Sequence, residues 1–231
     1  MIAPVTPHDA AAGRQPRPEL LQIGPVAQLK AGRLPRRLVQ LFVGLSLYGA
    51  SMGMLVRSAL GLDPWDVFHY GVSLHVPWTF GTIVVVISFA VLLLRIPLRQ
   101  MPGLGTIANA VWIGVATDLT LSTTPEQHDL LPRAGLLLGG IVLNGIAGAL
   151  YIGSQLGPGS RDGLMTGLHR RTGISLRVVR TTLELSVLVI GWLLGGVVGL
   201  GTVLYALAIG PLVQFFLPHC TVRIPDPDAS A

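Results

Sequence analysis

Six apolar runs, near residues 38–56, 80–98, 104–121, 134–153, 178–198 and 200–217, approach the ~20 residues that an α-helix needs to cross a bilayer. A backbone in hydrocarbon must satisfy its own polar groups, so runs of this length and spacing predict membrane helices. Composition agrees. Only 12% of the residues are charged and 51% are hydrophobic, against about a quarter charged in soluble domains. The expected fold class is therefore an all-α membrane protein with six transmembrane helices.

The basic residues set an expected orientation. With the N-terminus inside, every Arg and Lys except Arg57 and Arg133 falls in the tail, in a cytoplasmic connection or at the C-terminus. The connection at 122–133 lies outside and is acidic, with Glu126 and Asp129. This predicts a multi-pass protein of the inner (plasma) membrane with both termini cytoplasmic. Residues 1–37, rich in proline and arginine, read as a disordered basic tail that anchors the first helix through Arg33, Arg36 and Arg37. Residues 219–231 read as a short cytoplasmic C-terminal tail. The net charge of +5 does not indicate nucleic acid, because no basic run is interleaved with aromatics and the cations flank apolar runs where anionic lipid meets them.

The chain repeats itself at an offset of 96 residues. The offset pairs Gly61 with Gly157, Asp66 with Asp162, Gly71 with Gly167, Gly44 with Gly140 and Gly49 with Gly145. It also superposes Gly103-Leu104-Gly105-Thr106 on Gly199-Leu200-Gly201-Thr202. About 20 of about 84 positions are identical without a gap. Each copy, 38–121 and 134–218, holds three runs. An odd number makes the second copy enter the membrane from the opposite side, so the expected architecture is a 3+3 inverted repeat.

Each copy is broken after its first run. In the first, Asp63 and Pro64 have the chemistry of an N-cap and a first helical residue. In the second, Ser160 can cap, Asp162 lies in the first turn and Gly173 ends the segment. Both segments are too short to span, so they predict short helices that lie at the interface or re-enter from it. Gly61 and Gly157 permit a sharp turn, and Gly71 and Gly167 permit close packing. Asp66 and Asp162 either hold these helices in place or also bind a cation or proton.

The stretch Ala59-Leu60-Gly61, Trp65-Asp66, Gly71, Thr79 and Gly81, within six runs, resembles the YczE/YyaS/YitT family of bacterial integral membrane proteins. The resemblance covers about residues 38–218. It implies a polytopic inner-membrane protein and carries no substrate with it. Arg161 stands in the second copy where Trp65 stands in the first, so a role for the tryptophan does not extend to both halves.

Glu184 lies within a predicted helix interior, one helical turn after Arg180, with which it can pair. That pair is either a snorkelling structural contact or part of a solute or proton pathway. Asn109 and Asn144 are single amides in apolar runs, suited to helix-to-helix hydrogen bonds or to a ligand. Gly49 with Gly53, and Gly145 with Ala149, make faces for close helix packing. No nucleotide-binding, nucleophile-elbow or His-Glu-x-x-His string occurs, and Cys220 is the sole cysteine. The reading calls for no catalytic residue, cofactor or metal. The expected partners are lipid and an unknown small solute or ion, with a homo-oligomer or membrane partner also open. Two functions fit: a small secondary transporter with its site between the copies, or a non-transporting membrane scaffold or accessory subunit.

Overall fold

A computed structural model describes residues 24–98 and 101–224. Among them the elements are all helical: α1 (Pro25–Lys30), α2 (Leu34–Ser58), α3 (Pro64–Ser73), α4 (Phe80–Arg95), α5 (Leu104–Thr123), α6 (Leu130–Gly153), α7 (Ser160–Thr172), α8 (Leu176–Leu193) and α9 (Leu200–Cys220). Four of these, α2, α5, α6 and α9, are long and apolar enough to cross a membrane. α4 is apolar but only 16 residues long: it ends at Arg95, and the run expected over 80–98 closes in a turn at 96–98 where Pro97 has no amide to continue the helix. α8 has 18 residues and carries Arg177, Arg180 and Glu184, which takes it out of the composition of an apolar span.

Local chemistry explains the breaks. Asp63 caps α3, its Oδ1 accepting from the amides of Trp65 at 2.8 Å and Asp66 at 3.0 Å, with Pro64 in the first helical position. α7 is capped by Gly159 rather than Ser160, which is its first helical residue, and no side chain closes that end. Gly173 ends α7 in the left-handed conformation, as its sequence position suggests. The repeated Gly-Leu-Gly-Thr strings start α5 and α9 alike: Thr106 and Thr202 reach back to accept from the amides of Gly103 and Gly199.

α2 is the central element. It packs along α6 and α5, α6 packs on α9, α3 packs on α8, and α4 packs on α5 and α7. Small residues allow these approaches. A Cβ on Gly49 would lie 2.7 Å from the Ile113 carbonyl oxygen of α5, and one on Gly145 would lie 2.7 Å from Leu212 of α9. Leu41, Leu45, Met52, Ile113 and Tyr151 form the core around α2.

Arg37 departs from its expected place at the lipid surface. It is fully buried and donates to the carbonyls of Ser154 at 2.8 Å, Gln155 at 2.6 Å and Gln28 at 2.5 Å. The first two lie just beyond the C-terminus of α6, where carbonyls lack helical partners. α1 and the start of α2 fall within the stretch 1–37 read as a tail, while residues 1–23 and 225–231 lie outside the described residues.

Candidate functional site

The two short helices meet at their N-terminal turns. Trp65 and Arg161, which occupy the same place in the two copies, touch one another: the Arg161 guanidinium carbon lies 4.9 Å from the centre of the Trp65 ring. Its nitrogens approach Oδ1 of Asp63 at 3.9 Å and Oδ1 of Asp66 at 3.8 Å, ion-pair rather than hydrogen-bond distances. His69, one turn along α3, places Nδ1 3.0 Å from Asp66 Oδ1. Asp63, Asp66 and His69 are all buried. Oδ2 of each aspartate lacks a hydrogen-bond partner among the described residues.

A cavity of about 80 Å³ adjoins this cluster, lined by Tyr48, Ser88, Asn109, Tyr151, Arg161 and Asp162 among others. Tyr151 donates from its hydroxyl to Asp162 Oδ2 at 3.0 Å. Asp162 is exposed whereas Asp66 is not, so the approach to the cluster runs past α7. Arg95, at the end of α4, is also buried and rests on Gly163, where an added Cβ would collide with the guanidinium. Its Nε and Nη1 have no partner among the described residues.

The contacts of the broken segments recur at the 96-residue offset with the copies exchanged. The Gly201 amide donates to the Leu60 carbonyl at 2.8 Å, and the Gly105 amide donates to the Leu156 carbonyl at 2.8 Å. Gly61 and Gly157 have φ of 128° and 122°. The two halves nevertheless differ. Tyr48 and Asn109 line the cavity, while their counterparts Asn144 and Tyr205 are bonded together, Tyr205 Oη donating to Asn144 Oδ1 at 3.0 Å. Asn144 also donates to Ser51 Oγ at 2.7 Å. α4 packs on α5, but among the described residues α8 and α9 make no comparable contact and α8 leans on α3.

The residues singled out from the sequence therefore separate. Asn109 and Asp162 line the cavity, Asp66 lies beside it in the buried cluster, and Trp65 supplies the surface under Arg161. Asn144 is a helix-to-helix hydrogen bond. Arg180 and Glu184 do pair, at 2.9 Å, but are not among the residues lining the cavity. Gly61, Gly71 and Gly157 lie at tight crossings, and Gly167 is buried in α7. Arg161, His69, Tyr48, Tyr151 and Arg95 were not candidates from sequence. His69 had a usable signal, its i,i+3 spacing from Asp66.

Asn144→Leu is expected to cost about 1 kcal/mol, because it leaves the buried Tyr205 hydroxyl unpaired. A thermal midpoint in detergent checks this, and Asn109→Leu should change it less because Asn109 makes no comparable hydrogen bonds among the described residues.

Residues 35–218 match the family described as "Family of unknown function (DUF6198)". An "Uncharacterized protein" of Haemophilus influenzae is 43% identical over 185 residues, covering 80% of this chain and 84% of that one. The "Uncharacterized membrane protein YczE" of Bacillus subtilis is 32% identical over 180 residues, covering 77% and 84%. The "Uncharacterized protein YyaS" of the same organism is 26% identical over 180 residues, covering 76% and 90%. No solved structure matches. A chain whose described elements are all helical, four of them with spanning length and composition, matched over this extent, is a membrane protein and belongs to the YczE- and YyaS-like family of unknown function DUF6198.

Proposed function

We propose that the chain is a small secondary transporter of the bacterial inner membrane, with its solute or ion site between two inverted copies at the N-terminal turns of α3 and α7. In this reading α4 and α8 complete six crossings. At 1.5 Å per residue they extend about 24 Å and 27 Å, short of the ~30 Å hydrocarbon core, which local thinning accommodates. Both termini then face the cytoplasm, in accord with the basic residues. Support for the two-fold relation comes from the exchanged contacts, in which Leu60 with Gly201 mirrors Leu156 with Gly105.

One observation carries the reading. Equivalent positions are open in one half, at Tyr48 and Asn109, and hydrogen-bonded shut in the other, at Asn144 and Tyr205. A carrier that alternates access needs such an inequality between related halves, with the two arrangements exchanging in turn. Buried ionisable groups between the copies add a reason for the protein to pay the cost of polarity in an apolar interior.

Site-directed labelling tests it. In a Cys220→Ser background, Asn109→Cys is expected to react with a membrane-impermeant maleimide from one face, and Tyr205→Cys from the opposite face. A modification that holds one position open should reduce labelling at the other. Labelling of both from the same face, or of neither from either face, would remove alternating access and leave the scaffold reading.

A further inference from the structure

We propose that Asp63 and Asp66 together hold one exchangeable proton, which makes the buried cluster between α3 and α7 a proton-binding site. Two carboxyls lie in the interior, 3% and 0% exposed, and among the described arginines and lysines Arg161 alone stands within ion-pair distance of them. With both ionised, one negative charge is left without a counter-ion in a region where an unpaired charge is very costly. One proton removes it.

The neighbouring groups do not supply the missing charge. His69 is buried edge-on to Phe80, with ring centres 6.1 Å apart; a single N–H at Nδ1 suffices for its 3.0 Å contact with Asp66 Oδ1, and an imidazolium would bury a second N–H, at Nε2, with no acceptor among the described residues. The other ionisable groups nearby are Tyr48 of α2 and Tyr205 of α9, which are neutral when protonated, and Asp162 of α7, which adds negative charge. Tyr151 of α6 is engaged by Asp162, and Arg180 of α8 is paired with Glu184. Arg95 of α4 lies against Gly163.

Geometry places the proton on the carboxyls. Oδ1 of Asp63 is occupied by two amides and Oδ1 of Asp66 by His69, while both Oδ2 atoms are buried and unpartnered. An O–H bond formed at either Oδ2 neutralises that carboxyl and breaks none of these hydrogen bonds. A hydronium arriving past Asp162 gives up its proton there and leaves as water. A metal ion fits less well, because among the described residues no three His, Cys, Asp or Glu side chains converge to hold one.

The proton also has a mechanical consequence. It weakens the hold of the pair on Arg161, whose side chain borders the cavity and lies next to Asp162 in sequence. Use of this proton as a coupling ion rests on the transport reading above; its presence in the cluster does not.

Infrared difference spectroscopy on the purified full-length protein reads the proton directly. The wild type is expected to show a carboxylic-acid C=O band near neutral pH that shifts in D2O and disappears on alkaline titration. Asp63→Asn and Asp66→Asn should each abolish it, because Arg161 then balances the one remaining carboxylate. Asp162→Asn and Glu184→Gln should leave it in place. Should both cluster variants fail to fold, the wild-type band and its titration decide alone. Absence of the band, its survival in both folded cluster variants, or its loss when sodium chloride replaces choline chloride at constant pH would overturn the proposal. A band with the expected behaviour in a protein that fails the labelling test would retain the proton site and remove transport.

Discussion

Arg161→Met is expected to lower stability by about 3–5 kcal/mol, the range found when one partner of a buried ion pair is removed and the other is left behind. Arg161 faces both Asp63 and Asp66 and covers the Trp65 ring, so the substitution withdraws the cation from two buried carboxyls and a cation–π contact together. Methionine keeps much of the apolar stem, which isolates the loss of charge from a loss of packing. A thermal midpoint in detergent measures the effect. Adding Asp66→Asn should recover little of it, since the pair already holds one proton and a single uncompensated carboxylate remains in either variant. Arg180→Met provides the comparison. Arg180 pairs with Glu184 at 2.9 Å, but its side chain is 61% exposed, and its removal should shift the midpoint far less. Equal effects at the two arginines would mean that the cluster between α3 and α7 does not hold the structure together.

Much of this architecture was readable from residue chemistry, but unevenly. The breaks at Asp63-Pro64 and at Gly173 were legible because capping is local: the cap, the first helical residue and the terminating glycine lie within a few positions of one another. The apolar runs located α2, α5, α6 and α9 because length and composition alone decide membrane-spanning capacity. The site was less legible. The aspartates pointed to it, yet their main partner, Arg161, comes from a helix nearly one hundred residues away and appears in sequence only as a mismatch with Trp65. Nothing local announces that two positions related by the repeat touch each other; that follows from how the copies are brought together. Arg37 shows the same limit. Beside Arg33 and Arg36 it reads as part of a basic flank, but it faces inward and binds carbonyls at the far end of α6. Asn109 and Asn144 were chemically equivalent candidates. Their fates diverged because Tyr205 reaches Asn144 and bonds to it, whereas Asn109 faces open space beside Tyr48.

Gly61→Ala and Gly157→Ala should both destabilise the protein, and by unequal amounts, although the two glycines occupy the same place in the repeat. Each has a φ near +125°, in a region that costs a residue with a Cβ about 1–3 kcal/mol. That contribution is common to both. The surroundings differ. A Cβ on Gly157 would meet the Thr106 hydroxyl at 3.1 Å and the Gly103 Cα at 3.3 Å, separations that a shift of a few tenths of an ångström relieves. A Cβ on Gly61 would come within 2.6 Å of the Thr202 amide nitrogen, and a backbone atom at the start of a helix cannot move without displacing the helix. Relief at Gly61 thus requires α9 to shift, which stretches the Leu60 to Gly201 hydrogen bond and disturbs the entry into α3 just ahead of Asp63. The expected losses are about 2 kcal/mol for Gly157→Ala and about 4 kcal/mol for Gly61→Ala, read from thermal midpoints of the purified variants. A Gly157 variant at least as damaged as the Gly61 variant would contradict the account, because it would mean that the closer approach at Gly61 carries no added cost. The order matters for the site as well. Asp63 lies two residues beyond Gly61, so a displaced crossing moves the cap that orients α3, and the Gly61 variant should lose the carboxylic-acid infrared band that the Gly157 variant retains.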